Sequence, residues 1–154
     1  MKRTVIFPIR YRFVNRLEWP RAILHLDMDA FFVNVHILEN PQDQGVPLAV
    51  GGKPGKRGVI ASASYEARAK GVRSAMASSK ALKLCPELKL VSSNRPMIRS
   101  CSVKVMEILA RYGTLERMSV DEAFVDLSLQ KNPEALVKTI LKRIKVETNL
   151  PSSA

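Results

Sequence analysis

The rhythm of apolar and polar positions first becomes regular at residue 22. Ala22-Ile23-Leu24-His25-Leu26 is a short apolar run entering Asp27-Met28-Asp29, the pattern of a buried strand. Phe31, Val35 and Leu38 then recur at helical spacing until Asn40-Pro41 stops the helix. The middle of the chain predicts a strand at Pro47-Leu48-Ala49-Val50, a turn-rich basic loop from Gly51 to Gly58, and a second strand at Val59-Ile60-Ala61. Two short helices follow. One spans about Tyr65 to Lys70 with Gly71 as its stop; the other has Ser78 or Ser79 as N-cap and Pro86 as terminator.

From Met97 onward, Ile98, Cys101, Val105, Ile108 and Tyr112 share one helical face, closed by Gly113. Leu115 to Leu127 predicts two strands meeting at Ser119-Val120-Asp121-Glu122. Asn132-Pro133-Glu134 supplies a cap, a first-turn proline and an acid for the helix dipole, and Val137, Ile140, Leu141 and Ile144 form the stripe of the helix it starts. With residues 45–91 set aside as an insertion, the order is strand, helix, strand, strand, helix. That is an α+β, ferredoxin-like βαββαβ plan without its last strand. The expected organisation is a basic leader at 1–21, a main unit at 22–44 and 92–154, and an inserted unit at 45–91.

Composition narrows the partners more than the fold. The 154 residues suit one domain with a small insertion, and 46% hydrophobic residues suffice for a core. Lys and Arg number 25 against 14 Asp and Glu, a net charge of +11. Such an excess suits a nucleic acid or an anionic membrane surface, or else simply a solvated basic exterior. Cys85 and Cys101 make neither a disulfide framework nor a metal-ligand pair, and read as buried thiols of a reducing cytosol. No apolar run approaches the roughly 20 residues of a membrane span. The basic start, broken by Pro8, is too short for a signal peptide, so the cytoplasm is the expected location.

The candidate chemistry lies in carboxylates. Asp27 and Asp29, two apart on a strand, would leave the same face about 6–7 Å apart. Asp121 and Glu122 sit at a junction between two other strands, and the first and third strands of a βαββαβ sheet are central neighbours. Three acids gathered there repel one another unless cations join them. Oxygen ligands without His or Cys favour Mg²⁺, and paired ions about 4 Å apart suit in-line attack of a hydroxyl on a phosphate. Each half also has an ordinary reading, since a D-x-D at a strand end is common and an Asp-Glu turn is usually just solvated.

Four segments together are far more specific. Leu26-Asp27-Met28-Asp29-Ala30-Phe31-Phe32, Ala63-Ser64-Tyr65-Glu66-Ala67-Arg68, Gly71-Val72-Arg73-Ser74-Ala75-Met76 and Ser119-Val120-Asp121-Glu122-Ala123-Phe124 resemble, in order and spacing, the Y-family (polymerase-IV-like) translesion DNA polymerases. The resemblance covers about Ala22 to Ala154. It implies a polymerase palm with a small inserted fingers subdomain at 45–91, two Mg²⁺ ions, deoxynucleoside triphosphates and primer-template DNA. Asp27, Asp121 and Glu122 match the metal-binding carboxylates, and Met28 would lend a main-chain carbonyl. Asp29 matches a second acid that is more often structural. Phe32 matches the steric gate against a ribose 2′-OH; Tyr65 and Arg68, and with them Ser62, match the triphosphate pocket. Small residues such as Ala61, Ala63 and Ala75 would keep that pocket roomy.

Val33, Asn34, His36 and Ala77 depart from the family's usual residues, and none removes a metal ligand. His36, a lone His on a helix, reads as structural or exposed rather than as a base. In the family the chain continues into a final palm strand, a phosphate-binding lysine, a thumb and a little finger, the C-terminal part that would also engage a sliding clamp. Residues 147–154 are expected to enter that strand and stop. Two functions follow as alternatives: template-directed DNA synthesis by a catalytic fragment, or an inactive truncated remnant with weak, non-specific DNA binding. A nucleotide cyclase on the same plan is a third, which the Phe32 and Tyr65/Arg68 motifs oppose.

Overall fold

The computed structural model describes residues 21–55 and 57–154. The expected leader, apart from Arg21, and Lys56 of the basic loop lie outside them. Along the chain run β1 (Ile23–Met28), α1 (Phe31–Glu39), a short 3-10 turn (Pro41–Asp43), β2 (Leu48–Gly51), β3 (Ile60–Ala63), α2 (Tyr65–Ala69) and α3 (Ser78–Leu84). Then come β4 (Lys89–Val91), α4 (Arg95–Ala110), β5 (Thr114–Arg117), β6 (Glu122–Asp126), α5 (Pro133–Thr148) and β7 (Ser152–Ser153). None of the described helices is long and apolar enough to cross a membrane.

Strict alternation builds the larger sheet. β1 buries Leu24, Leu26 and Met28 and turns Ile23, His25 and Asp27 outward; β6 buries Ala123 and Val125 and turns Glu122, Phe124 and Asp126 outward. The two pair antiparallel in the order β5-β6-β1-β7, the ferredoxin-like arrangement expected from the pattern. α4 and α5 cover the buried face, where Leu26, Val105, Leu109, Ile140 and Ile144 meet in one core. A fully buried leucine such as Leu26 contributes about 1.5–3 kcal/mol through the water it sheds. The opposite face is left for the acids.

α1 is apolar on two sides because it has two sheets to touch. Phe31 and Val35 join the main core, while Val33 packs with Leu48 and Val50 of the smaller sheet, ordered β3-β2-β4. His36 is structural, as its isolation suggested. Its Nε2 lies 2.7 Å from the buried Asp43 carboxylate, which also accepts from Lys89 Nζ at 2.6 Å. This cluster ties α1 to β4, and the hydrogen bonds from Lys89 first and His36 second hold Asp43 below the usual carboxylate range.

Several boundaries differ from the sequence reading. The last strand is not wholly missing: β7 pairs two residues, Ser152 and Ser153, with Met28 and Asp27. β4 leaves no mark in the sequence pattern, because three residues are too few to display an alternation. α3 is capped by Ala77 rather than by Ser78 or Ser79, and Ser78 instead enters the core and donates its hydroxyl to Gly52 O at 2.7 Å. Asp29 lies just beyond β1, in the turn to α1. Cys85 and Cys101 are both buried, and burial pushes both thiols up. Gly113 is required where α4 meets β5, because a Cβ there would run into the Asp126 carbonyl.

Two predictions follow from these local arrangements. The Ser128 hydroxyl, then the Ser128 N–H at 2.9 Å and Arg21 at 3.0 Å, lower the pKa of the Asp126 carboxylate to about 2. A depressed carboxylate stabilises the fold above its unfolded value, and that contribution disappears as pH falls from about 4 to about 2. Asp126→Asn is expected to flatten this part of a melting-temperature-against-pH curve, and an unchanged acid limb would contradict it. Ala77 already has φ −60° and ψ 133°, with the neighbouring bridge bonds made by Ser78 N–H and Met76 O. Ala77→Pro should therefore raise the melting temperature by about 1 to 4 °C in thermal melts.

Candidate functional site

The turn after β1 begins the site. Met28 N–H donates to Asp121 O at 3.0 Å, and Asp29 N–H donates to Pro151 O at 3.2 Å, so the strand end is clamped from both sides. Ala30 then takes a left-handed conformation, φ 42°, which costs a non-glycine residue about 1–2 kcal/mol. That sharp bend starts α1 at once and sets Phe31 and Phe32 beside the carboxylates. Asn34 supports it by donating its side-chain amide to Asp29 O.

Antiparallel pairing does the rest. Asp27 stands opposite Glu122 on one side and Ser153 on the other, on the sheet face that the helices leave open. Asp121 lies one residue before β6, its carboxylate accepting from Ser119 Oγ at 2.6 Å. Partial burial, then the charges of Asp121, Glu122 and Asp29, push the Asp27 carboxyl above its ordinary value, while His25 draws it down. The acids are therefore a site of accumulated negative charge.

The second wall comes from β3 of the smaller sheet and from α2. Ser64 caps α2, accepting from Ala67 N–H at 3.2 Å, and orients its first turn. Arg68 donates Nε to Ala63 O at 3.0 Å and lays its guanidinium 5.4 Å from the centre of the Tyr65 ring. Arg73 donates to Arg68 O at 2.5 Å and so holds the end of the same helix.

A cleft of about 200 Å³ joins the two walls, lined among others by Asp27, Met28, Phe32, Ser62, Tyr65, Arg68 and Asp121. Seven of the eight residues singled out from sequence thus meet in one place. The eighth, Glu122, pairs with Asp27 in register but does not line the cleft. Its carboxylate is held 2.6 Å from His25 Nε2, whose ring stacks on Phe124. Among the described residues no three of His, Cys, Asp and Glu are placed as a closed metal site. The expectation that Asp29 shares a strand face with Asp27 is corrected: Asp29 lines the cleft from the turn and accepts from Ser153 Oγ at 2.7 Å. Sequence reasoning missed His25 and Ser74. Ser74 reaches the cleft through a turn set by left-handed Gly71 and Ala75, for which Gly71 was the one visible sign.

Comparison with known proteins gives this geometry a context. Residues 26–154 match the model of the impB/mucB/samB family. DNA polymerase IV of Shewanella amazonensis is 46% identical over 139 residues, covering 87% of this chain and 39% of the relative. DNA polymerase IV of Clostridium perfringens is 43% identical with the same coverage. The crystal structure of DinB from Sulfolobus solfataricus superposes with a TM-score of 0.81 at 30% identity, over 85% of this chain and 40% of that one. An insertion ternary complex of Dbh DNA polymerase superposes with a TM-score of 0.79 at 28% identity, over 85% and 41%. The chain spans about 39% of the length of these curated relatives.

The charge crowding around Asp27 has a stability consequence. A carboxyl whose folded value is raised loses stability as pH climbs past its unfolded value, so at pH 7 the cost is fully present. Asp27→Asn should melt above wild type at pH 7, and the gap should close below about pH 3.9. An asparagine variant that melts lower at pH 7 and higher in acid would contradict this account.

Proposed function

The chain belongs to the impB/mucB/samB family of Y-family DNA polymerases, and on that premise we propose that it carries the reacting centre of template-directed DNA synthesis, in translesion replication and repair. The observation that supports this most is the single cleft that faces acids of β1 and the β6 turn with Tyr65 and Arg68 of α2. In this reading residues 22–44 and 92–154 form the palm and residues 45–91 the fingers.

The donor set fits a hard divalent cation. Asp27 and Asp121 offer oxygen only, and the raised Asp27 carboxyl marks negative charge that a cation would relieve. Asp27, Asp121 and the Met28 carbonyl would hold Mg²⁺, two ions in all, with Glu122 joining once its carboxylate leaves His25. Bound magnesium supplies neutralisation of phosphate charge and a lower pKa for the attacking hydroxyl. The chain's own residues bind and orient. Arg68, fixed through Nε, offers its remaining N–H groups to phosphate oxygens, and the exposed Tyr65 and the Ser62 hydroxyl add donors beside it. Phe32, half-buried between Phe31 and the cleft, occupies the volume a ribose 2′-OH would need. The primer hydroxyl attacks the innermost phosphate of the incoming nucleotide, and pyrophosphate leaves.

Primer extension with Mg²⁺ and deoxynucleotides tests the reading. Wild type should add the templated nucleotide, and Asp121→Ala should lose at least about a hundredfold in rate. Phe32→Ala should narrow the preference for deoxynucleotides over ribonucleotides. Salt-sensitive DNA binding without any extension would leave only the DNA-binding remnant.

A further inference from the structure

Four side chains stand together on the open face of the larger sheet. His25 and Asp27 project from β1, and Phe124 and Glu122 stand opposite them on β6. The His25 and Phe124 rings stack, with centroids 4.5 Å apart and planes 27° apart. Glu122 therefore has two neighbours of contrary character. Directly across the ladder is Asp27, a like charge, and on the diagonal is His25, a hydrogen-bonding ring. The carboxylate takes the diagonal, with Oε1 2.6 Å from His25 Nε2, and stays out of the cleft that Asp27 and Asp121 line.

Core packing does not require this contact. The His25 and Glu122 side chains are 48% and 41% exposed, and neither belongs to the buried cluster of the larger sheet. The stack on Phe124 fixes the imidazole, so the ring stays in place when the glutamate turns away. The two positions open to the carboxylate differ in charge. Beside Asp27 and Asp121 a third carboxylate is repelled, and a divalent cation among them reverses that sign. Half-exposed side chains exchange between such positions without opening the core.

We propose that His25 is a positioning residue that holds Glu122 away from the cleft until a divalent cation enters, so that the His25–Glu122 contact lowers the affinity of the acids for that cation. The proposal rests on the reading above that makes Asp27, Asp121 and Glu122 its ligands. One hydrogen bond has to break before the third carboxylate is free, and its cost falls on the binding step. The apparent affinity is reduced by the fraction of chains in which Glu122 is held. A side chain that lacks the ring nitrogen releases Glu122 and tightens the site. One that restores an N–H at the same reach does not.

Mn²⁺ is the probe, followed by the loss of its free-ion electron paramagnetic resonance signal on titration with the full chain at one fixed pH, without DNA or nucleotide. His25→Phe, which keeps the stack, should bind Mn²⁺ about threefold to tenfold more tightly than wild type, and His25→Ala should do the same. His25→Gln, which keeps an N–H donor, should stay within about twofold of wild type. In a Glu122→Ala background the His25→Phe change should have no effect, because no carboxylate is left to hold. A change of charge or packing beside Asp27 would instead act in both backgrounds. Unchanged or weaker Mn²⁺ binding by the two variants without a donor, equal tightening in His25→Gln, or tightening that persists in the Glu122→Ala background overturns the proposal. So does the absence of Mn²⁺ binding in every variant. Primer extension on the same preparations keeps the two ideas apart. His25-dependent Mn²⁺ affinity without extension retains the latch and removes the polymerase reading; extension by wild type with an affinity indifferent to His25 does the reverse.

Discussion

The pairing of β1 with β6 is the interaction on which everything else hangs. It sets Asp27 across from Glu122, residues far apart in the chain, on the sheet face that α4 and α5 do not cover. Register is unforgiving here. A slip of one residue would bury Asp27 and expose Leu26, exchanging a fully buried leucine for a carboxylate in the core. The apolar cost of that exchange is what holds the acids in place.

α1 transmits this order to the second sheet. Its two apolar sides belong to different cores, so the helix cannot shift against one sheet without disturbing the other. The His36–Asp43–Lys89 cluster braces the same junction with half-buried hydrogen bonds to the Asp43 carboxylate. Both walls of the cleft are consequently referred to one rigid element, and Phe32 sits on it between the acids and α2.

Electrostatically the molecule is divided. Acids crowd the strand end and oppose the ionisation of Asp27, while arginines occupy α2, the start of α4 and the end of β5. Such crowding weakens the fold locally, as residues gathered for function rather than for packing commonly do. The excess of basic residues, ambiguous as a bulk number, acquires direction once Arg68 is seen fixed by a backbone partner at the edge of the cleft.

The periodicity of the chain determined the α+β class, the central pairing of first and third strands and the buried faces of α4 and α5, and the residues before α5 named its cap, Asn132. These are legible because burial repeats every two or every 3.6 residues, a local property. The four motifs likewise named most of the side chains that line the cleft, with Glu122 the exception. Other features were decided only in three dimensions. β4 and β7 are too short to carry a pattern and exist because neighbouring strands offer them hydrogen bonds. Asp29 looks like a strand residue until left-handed Ala30 ends the strand before it. Glu122 looks like its neighbour Asp121, yet His25 takes its carboxylate, because residues opposite in a ladder touch while residues adjacent in sequence point apart. Spacing names the acids; pairing decides which of them faces the cleft.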